Sequence, residues 1–190
     1  MSVSPPLLRA PRLLLRLWRE ADLEPFAALN ADPEVRAYFP NLMTREESDA
    51  SIARIRDHFD RHGFGFWAME LPGEAPFVGF VGLAQTPFEA PFTPAVEMGW
   101  RLARAYWGRG LATEGAHLAL QDGFGRFEWP EAVAFTAQGN ERSRKVMERL
   151  GMTYAPADDF DHPRLPGHAL ERHVLYRLGR EAFLSAGDRS

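Results

Sequence analysis

Apolar positions follow two rhythms along the chain, a period near two and a period near 3.6, and their alternation sets out the elements. Residues 12–18, Arg12 to Trp18, alternate or run apolar and predict a first strand. The proline-rich stretch before it, residues 1–11, reads as a loose arm. Asp22 stands where a cap would begin a helix with Leu23, Phe26 and Leu29 on one face, Pro25 being tolerated in the first turn. Thr44-Arg45-Glu46-Glu47 has the form of a capping box, and Ile52, Ile55 and Phe59 then recur at helical spacing up to a stop at Gly63. Phe66 to Leu71 and Phe77 to Leu83 read as strands joined by the turn Pro72-Gly73-Glu74. Thr86 to Pro94, with three prolines and two phenylalanines, is a loop too apolar to be only a tether.

From Val96 onward the pattern changes to strict alternation of strand and helix. Val96 to Leu102 predicts a strand, a helix begins near Gly110, Ala132 to Thr136 predicts a strand, a helix opens after Asn140, and Leu170 to Leu178 offers a last strand. Alternation of this kind implies parallel pairing through a crossover. The sum is a single α+β domain over residues 12–180: a central mixed sheet of about six to seven strands with helices on both faces. Residues 181–190 read as a tail.

Composition narrows the functional classes. The chain has 190 residues, 45% of them apolar, enough for one domain with a sizeable core. It contains no cysteine, which excludes disulfides, a thiolate nucleophile and a cysteine-based zinc site. The net charge of -4, with both signs mixed along the chain, argues against nucleic acid as the partner. No apolar run is long enough to span a bilayer or to form a signal-peptide core, so the expectation is a cytoplasmic protein with no membrane partner. Lys145 is the single lysine, so self-acylation of an internal lysine could occur only there.

The chemistry concentrates between two strand-to-helix junctions. The first is Arg104 to Glu114, Arg-Ala-Tyr-Trp-Gly-Arg-Gly-Leu-Ala-Thr-Glu. Two glycines around an arginine let successive backbone N–H groups turn inward, and the following helix aims its positive end at the same point, which suits a diphosphate. Alone, Gly-Arg-Gly is more often a plain connector. The second junction, from Asn140 to Met152, reads Asn-x-x-Ser-x-x-Val-x-x-x-Leu-Gly-Met and follows the strand at Ala132.

Together and in this order these segments resemble the GNAT superfamily of acetyl-coenzyme A-dependent N-acyltransferases. The superfamily motif Gln/Arg-x-x-Gly-x-Gly/Ala falls on Trp107 to Ala112, with Trp107 departing at the first position. The RimJ/RimL-like branch often carries Tyr-Trp-Gly-x-Gly-x-Ala-Thr-Glu, which Tyr106 to Glu114 matches. Glu97-Met98-Gly99-Trp100 and Gly63-Phe64-Gly65-Phe66-Trp67 add to the likeness, which extends from about Arg12 to Leu178.

The resemblance implies acetyl-CoA as co-substrate, no metal, and an amine acceptor, either a small molecule or a protein N-terminus. It places a splayed strand edge at Gly99, Trp100, Arg101 and Leu102, whose main chain pairs with the pantetheine arm and supplies oxyanion donors. Ordinary ladder pairing is the alternative for that edge. The diphosphate falls to Trp107, Gly108, Arg109, Gly110, Leu111, Ala112 and Thr113, with Arg109 also reaching phosphate oxygens. Asn140 would contact the cofactor arm, although Asn also caps helices at any such start. Ser143 and Arg144 follow it on the same helix, where Ser143 shares a face with Val146, Met147 and Leu150 that could simply pack. Many relatives form dimers, so a homodimer is among the expected partners, with Phe88 and Phe92 serving either a contact or a pocket lid.

For the reaction itself, Glu97 is the base to be expected, since it shares a face of its strand with Gly99 and Arg101; an ion pair with Arg101 is the competing role. Relatives often place a tyrosine on the second helix as general acid, and Met147 occupies that position here, leaving Ser143, another tyrosine or water. Asp158, Asp159, Asp161, His162, His168, Glu171 and His173 crowd the C-terminal part without a metal-ligand spacing. The acidic loop among them could line an acceptor pocket, with His168 and His173 as reserve bases. The reading is an N-acetyltransferase working by direct attack in a ternary complex; a CoA-binding sensor without turnover is the alternative.

Overall fold

The computed structural model describes residues 7–187. Nine strands form one sheet: β1 (Leu8–Arg9), β2 (Leu14–Arg16), β3 (Phe66–Leu71), β4 (Ala75–Gln85), β5 (Val96–Leu102), β6 (Glu131–Ala137), β7 (Thr153–Tyr154), β8 (Phe160–Asp161) and β9 (Arg172–Gly179). Five α-helices accompany it: α1 (Leu23–Ala31), α2 (Arg45–His62), α3 (Leu111–Arg126), α4 (Glu141–Arg149) and α5 (Arg180–Gly187). The sheet runs β1-β2-β3-β4-β5-β6-β9-β7, with β8 also on β9. Every pairing is antiparallel except β5 with β6, the one reached through the α3 crossover.

The strand count exceeds the expected six to seven because β1, β7 and β8 are two residues each, too short to leave an apolar period. Leu8–Arg9, inside the stretch read as an arm, pairs with Leu14 and Leu15. Residues 181–187 of the stretch read as a tail belong to α5, whose Phe183 packs on Phe124 with ring centroids 5.5 Å apart; residues 188–190 lie outside the described residues. The first strand is shorter than Arg12 to Trp18. Trp18 leaves it to bond the Phe66 carbonyl through its indole N–H (2.7 Å) and to pack on Phe26, Phe77 and Phe80.

Asp22 does not cap α1. Its carboxylate instead takes both Nη groups of Arg16, at 2.7 and 2.8 Å, and the Arg19 amide, a buried ion pair under the first turn. The capping box at Thr44 forms as the sequence predicts, with Glu47 and Thr44 exchanging bonds, and α2 ends at Gly63 in the left-handed conformation.

Side-chain alternation across β4 and β5 separates two cores. Val81, Leu83, Met98 and Leu102 face α3 and α4, where they meet Leu111, Leu120, Phe124, Met147 and Leu150. Phe77 and Phe80 face α1 and α2 with Trp18, Phe26, Leu29 and Ile52. Gly99 and its neighbours Glu97 and Arg101 lie on this second face, opposite Gly82, Ala84 and Phe80 of β4. A third cluster joins Phe88 and Phe92 of the proline loop to Phe135, Phe160 and Leu175, so these rings cover the far end of the sheet.

Candidate active site

Strand β5 ends at Leu102, and a short turn carries the chain into the cradle. Gly108 and Gly110 adopt φ values of 73° and 77°, left-handed conformations that cost an ordinary residue about 1 kcal/mol or more. Glycine is therefore what allows the loop to reverse and start α3 without a side-chain cap. The Trp107 amide is engaged by the Arg104 carbonyl at 3.1 Å and its indole by Leu102 O at 2.8 Å, so Trp107 offers no free donor to a diphosphate. From Gly108 through Thr113 the situation differs. Among the described residues none of these six consecutive amides has an acceptor; the first helical bond is Glu114 N to Gly110 O. The Thr113 hydroxyl is buried at the same place and likewise lacks a partner.

Arg12 holds this loop in place. It donates to Glu114 through Nε (2.7 Å) and to the Arg109 carbonyl through Nη1 (2.9 Å), linking the start of the sheet to the first turn of α3. The Arg109 side chain departs from its expected role: its guanidinium makes a two-pronged pair with Glu74, at 2.6 and 2.9 Å, which also depresses the Glu74 carboxyl below its usual range. Arg142 is better placed. Its guanidinium stacks on the Trp107 ring at 4.1 Å, and it makes no ion pair among the described residues. Sequence reasoning missed Arg142 because nothing in its spacing separates it from a solvated residue in the first turn of α4.

The neighbouring strand edge is open. Over its whole length β5 is paired with β4, from Gln85↔Val96 to Gly79↔Leu102, whereas its parallel pairing with β6 is confined to Glu97↔Val133. Ala103 N donates to Val78 O, and antiparallel alternation then turns the main-chain groups of Trp100 and Leu102 away from β4, toward the gap left by β6. Leu102 O is taken by the Trp107 indole, and among the described residues no strand pairs with the Trp100 N–H and C=O on that side. Ordinary ladder pairing, the alternative for this edge, is absent beyond Met98.

Asn140 caps α4: its Oδ1 accepts from Ser143 N at 3.3 Å, and its Nδ2 donates to Thr136 Oγ1 (2.9 Å) and Ser143 Oγ (3.1 Å). The Ser143 hydroxyl accepts that bond and retains its own proton. Arg144 is turned toward the sheet, with Nε on Tyr176 Oη at 3.2 Å and Nη1 toward the Gln138 carbonyl at 3.4 Å. Met147 is 2% exposed and belongs to the main core.

Across Gly99, Glu97 is half-buried beside Phe66 and Gly99. No ion pair with Arg101 forms; among the described residues the Glu97 carboxylate makes no hydrogen bond or ion pair at all. Burial pushes its pKa up to about 7, opposed only by the field of Arg164. Arg101 donates from Nη1 to Asn30 Oδ1 at 2.6 Å, and burial together with Arg36 lowers its pKa to about 9. The acidic loop is otherwise engaged. Asp158 binds Arg177 at 2.8 Å, Asp159 accepts from Tyr154 Oη at 3.1 Å, and Asp161 pairs with Arg172 at 3.2 Å. His168 is exposed, while His173 is buried against His162, their ring centroids 4.9 Å apart. His162 is driven down to about 4 by burial, then by His173 and Arg164.

A helix start with six free amides and an orphaned hydroxyl, beside a strand whose outer edge lacks its neighbour, is the arrangement that an extended molecule ending in a diphosphate would complete. The family model for the acetyltransferase (GNAT) domain matches residues 12–153. The chain belongs to that family. The Bacillus subtilis (strain 168) protein YkkB is 28% identical over 145 residues, 76% of this chain and 83% of YkkB. An FsC-acetyl coenzyme A-N(2)-transacetylase of Aspergillus fumigatus is 34% identical over 128 residues, covering 64% of this chain and 53% of that protein. Among solved structures, a GNAT-family acetyltransferase from Bacillus anthracis superposes with a TM-score of 0.76 at 23% identity, covering 93% of this chain and 99% of its own. GNAT acetyltransferases use acetyl-CoA as co-substrate, and the residues from Gly108 to Thr113 fit its diphosphate. Among the described residues no helix is long and apolar enough to cross a membrane.

Proposed function

We propose that this GNAT acetyltransferase transfers the acetyl group of acetyl-CoA to a primary amine, by direct attack of the amine within a ternary complex. The observation that carries the reading is the run of unengaged donors from Gly108 to Thr113 adjoining the open side of β5 at Trp100, with a protonatable carboxylate on the same strand. Gly108, Arg109, Gly110, Leu111, Ala112 and Thr113 hold the diphosphate through their amides, and Arg142 on Trp107 supplies a cation at its edge. Gly99, Trp100, Arg101 and Leu102 present the main chain along which the pantetheine arm lies, and the Trp100 N–H is suited to polarise the thioester carbonyl.

Glu97, with a pKa about 7, takes the ammonium proton directly or through water, so the neutral amine attacks, the C–N bond forms and the C–S bond breaks. The thiolate leaves and is protonated by solvent or by Ser143, whose hydroxyl proton has no acceptor among the described residues. An α-amino group, with a pKa of about 7.7 to 8.0, is easier for such a base to neutralise than a lysine. The motif from Tyr106 to Glu114 favours the RimJ/RimL-like branch, and a cytoplasmic site of action and a dimeric state accompany that reading. Thiol release from acetyl-CoA, measured with and without a panel of primary amines, tests it. Acceptor-dependent release with N-acetylated product is expected; release that ignores every amine contradicts transfer.

A further inference from the structure

The acceptor face of β5 carries two arginines that no carboxylate among the described residues pairs with, Glu47 reaching Arg36 only through its field. Arg101 and Arg36 lay their guanidinium groups on one ring, Phe39, with Cζ 4.2 and 4.4 Å from its centroid. Arg101 also stands 5.3 Å from the Phe80 centroid. Neither arginine forms an ion pair among the described residues. Arg36 donates only to the Asn41 carbonyl (2.9 Å) and the Met43 sulfur (3.4 Å); Arg101 donates from Nη1 to Asn30, and its Nε is buried without an acceptor. Asn30 is itself fixed, its Nδ2 donating to Ser48 Oγ at 3.0 Å.

Shortage of acid is not the reason, because the chain has 26 acidic against 22 basic residues. Arg104, a few residues on, pairs with both Asp32 and Glu34. Two like charges on one ring in a partly dry site are unfavourable unless an anion joins them. The place is also the right one. Arg101 is two residues from Gly99 on one side and Glu97 two residues on the other, each step about 7 Å along a strand. The base and the cations therefore flank the point where the thioester carbonyl lies in the proposed mechanism.

Resting on that mechanism, we infer that Arg101 and Arg36 form an anion subsite, so that the preferred acceptor is a small amine that also carries a carboxylate or phosphate. The two-pronged guanidinium fork, with Nε still free, binds the acid group while the amine of the same molecule faces Glu97.

Matched acceptors test this: alanine against alaninamide for the carboxylate, and phosphoethanolamine against ethanolamine for the phosphate. The specificity ratio, kcat/KM for the acid over its neutral partner, is expected to favour an acid in the parent protein. It is expected to fall about ten-fold or more in Arg101→Gln and in Arg36→Gln. A ratio unchanged in both variants overturns the inference, as does a parent that prefers both neutral amines. Binding of N-acetylalanine and of N-acetylalaninamide to the CoA-saturated protein, followed by calorimetry, gives an answer that does not depend on turnover. If no amine is acetylated yet the acid alone binds and Arg101→Gln abolishes it, the subsite stands and the transfer mechanism falls. If turnover is normal and acid and amide behave alike in both measurements, the mechanism stands and the subsite falls. Neither turnover nor binding of the acid overturns both.

Discussion

Glu97 and Arg101 stand four residues apart on one face of β5 and do not form an ion pair. Arg101 turns to Asn30 and Phe39, leaving the Glu97 carboxylate without a partner and with a pKa raised to about 7. Desolvation without compensation is how proteins bring a carboxyl into the range useful for taking a proton near neutrality. The competing structural role, a Glu97–Arg101 pair, would have depressed that pKa instead.

The rate of transfer is therefore expected to rise with pH through a limb near 7, and Glu97→Gln is expected to remove that limb and lower kcat about 10²-fold or more. pH–rate profiles of the two proteins, measured at saturating acetyl-CoA, provide the check. Superimposable profiles would take Glu97 out of the mechanism.

The same shift has a stability counterpart of definite sign. Because the folded pKa lies above the ordinary 4.5, the native state binds more protons between pH 4.5 and about 7, so stability falls as pH rises across that window. Glu97→Gln is expected to be more stable than the parent at pH 8, by roughly 1 to 3 kcal/mol, and to lose that advantage toward pH 4. Urea unfolding at the two pH values measures the difference.

His162 acts in the opposite direction. Its folded pKa of about 4 is below the ordinary 6.5, so the stability tied to its neutral form is complete above 6.5 and is lost as pH falls toward 4. His162→Phe, which keeps a ring against Phe88 and Phe160, is expected to flatten the acid side of the melting-temperature profile. An unaltered acid limb would place the sensitivity elsewhere.

At the cradle, Gly110→Asp sets both a left-handed β-carbon and a carboxylate at the start of α3. Coenzyme A affinity is expected to drop about 10²-fold, equivalent to roughly 3 kcal/mol, with the protein still folded. Calorimetric titration beside a thermal melt separates the two effects; undiminished affinity contradicts the assignment of the diphosphate to this turn.

Met147 stands where the resemblance implies a catalytic tyrosine, and its side chain is packed in the core. Met147→Tyr forces a hydroxyl and extra volume into that core, so a loss of about 1 to 3 kcal/mol is expected, with no gain in kcat. A faster enzyme would show that the helix can present the hydroxyl to the leaving thiolate after all.

The elements that were legible in the sequence are those with a long period or a local stop signal. The capping box at Thr44 and the Gly63 stop rest on bonds made within a few residues, the strand from Val96 to Leu102 shows in its own seven-residue pattern, and all three form. The two-residue strands β1, β7 and β8 exist because longer neighbours offer them an edge, a fact of tertiary pairing that leaves no local period. Asp22 was misread for the same reason: its partner is Arg16, reached through the fold of the chain and not through the helix that follows. In the site, the turn at Gly108 and Gly110 was legible because only glycine suits it. The partners of Arg109, Arg142 and Arg101 were not, since a guanidinium reaches too far for spacing to say which carboxylate or ring it will meet.

The most direct test of the account follows backbone amides while coenzyme A is titrated into isotopically labelled protein. Saturable shifts are expected for Gly108 through Thr113 and for Trp100, with the engaged amide of Trp107 moving less. Amides from Gly108 to Thr113 that stay unmoved at saturation would contradict the central claim that this helix start grips the diphosphate.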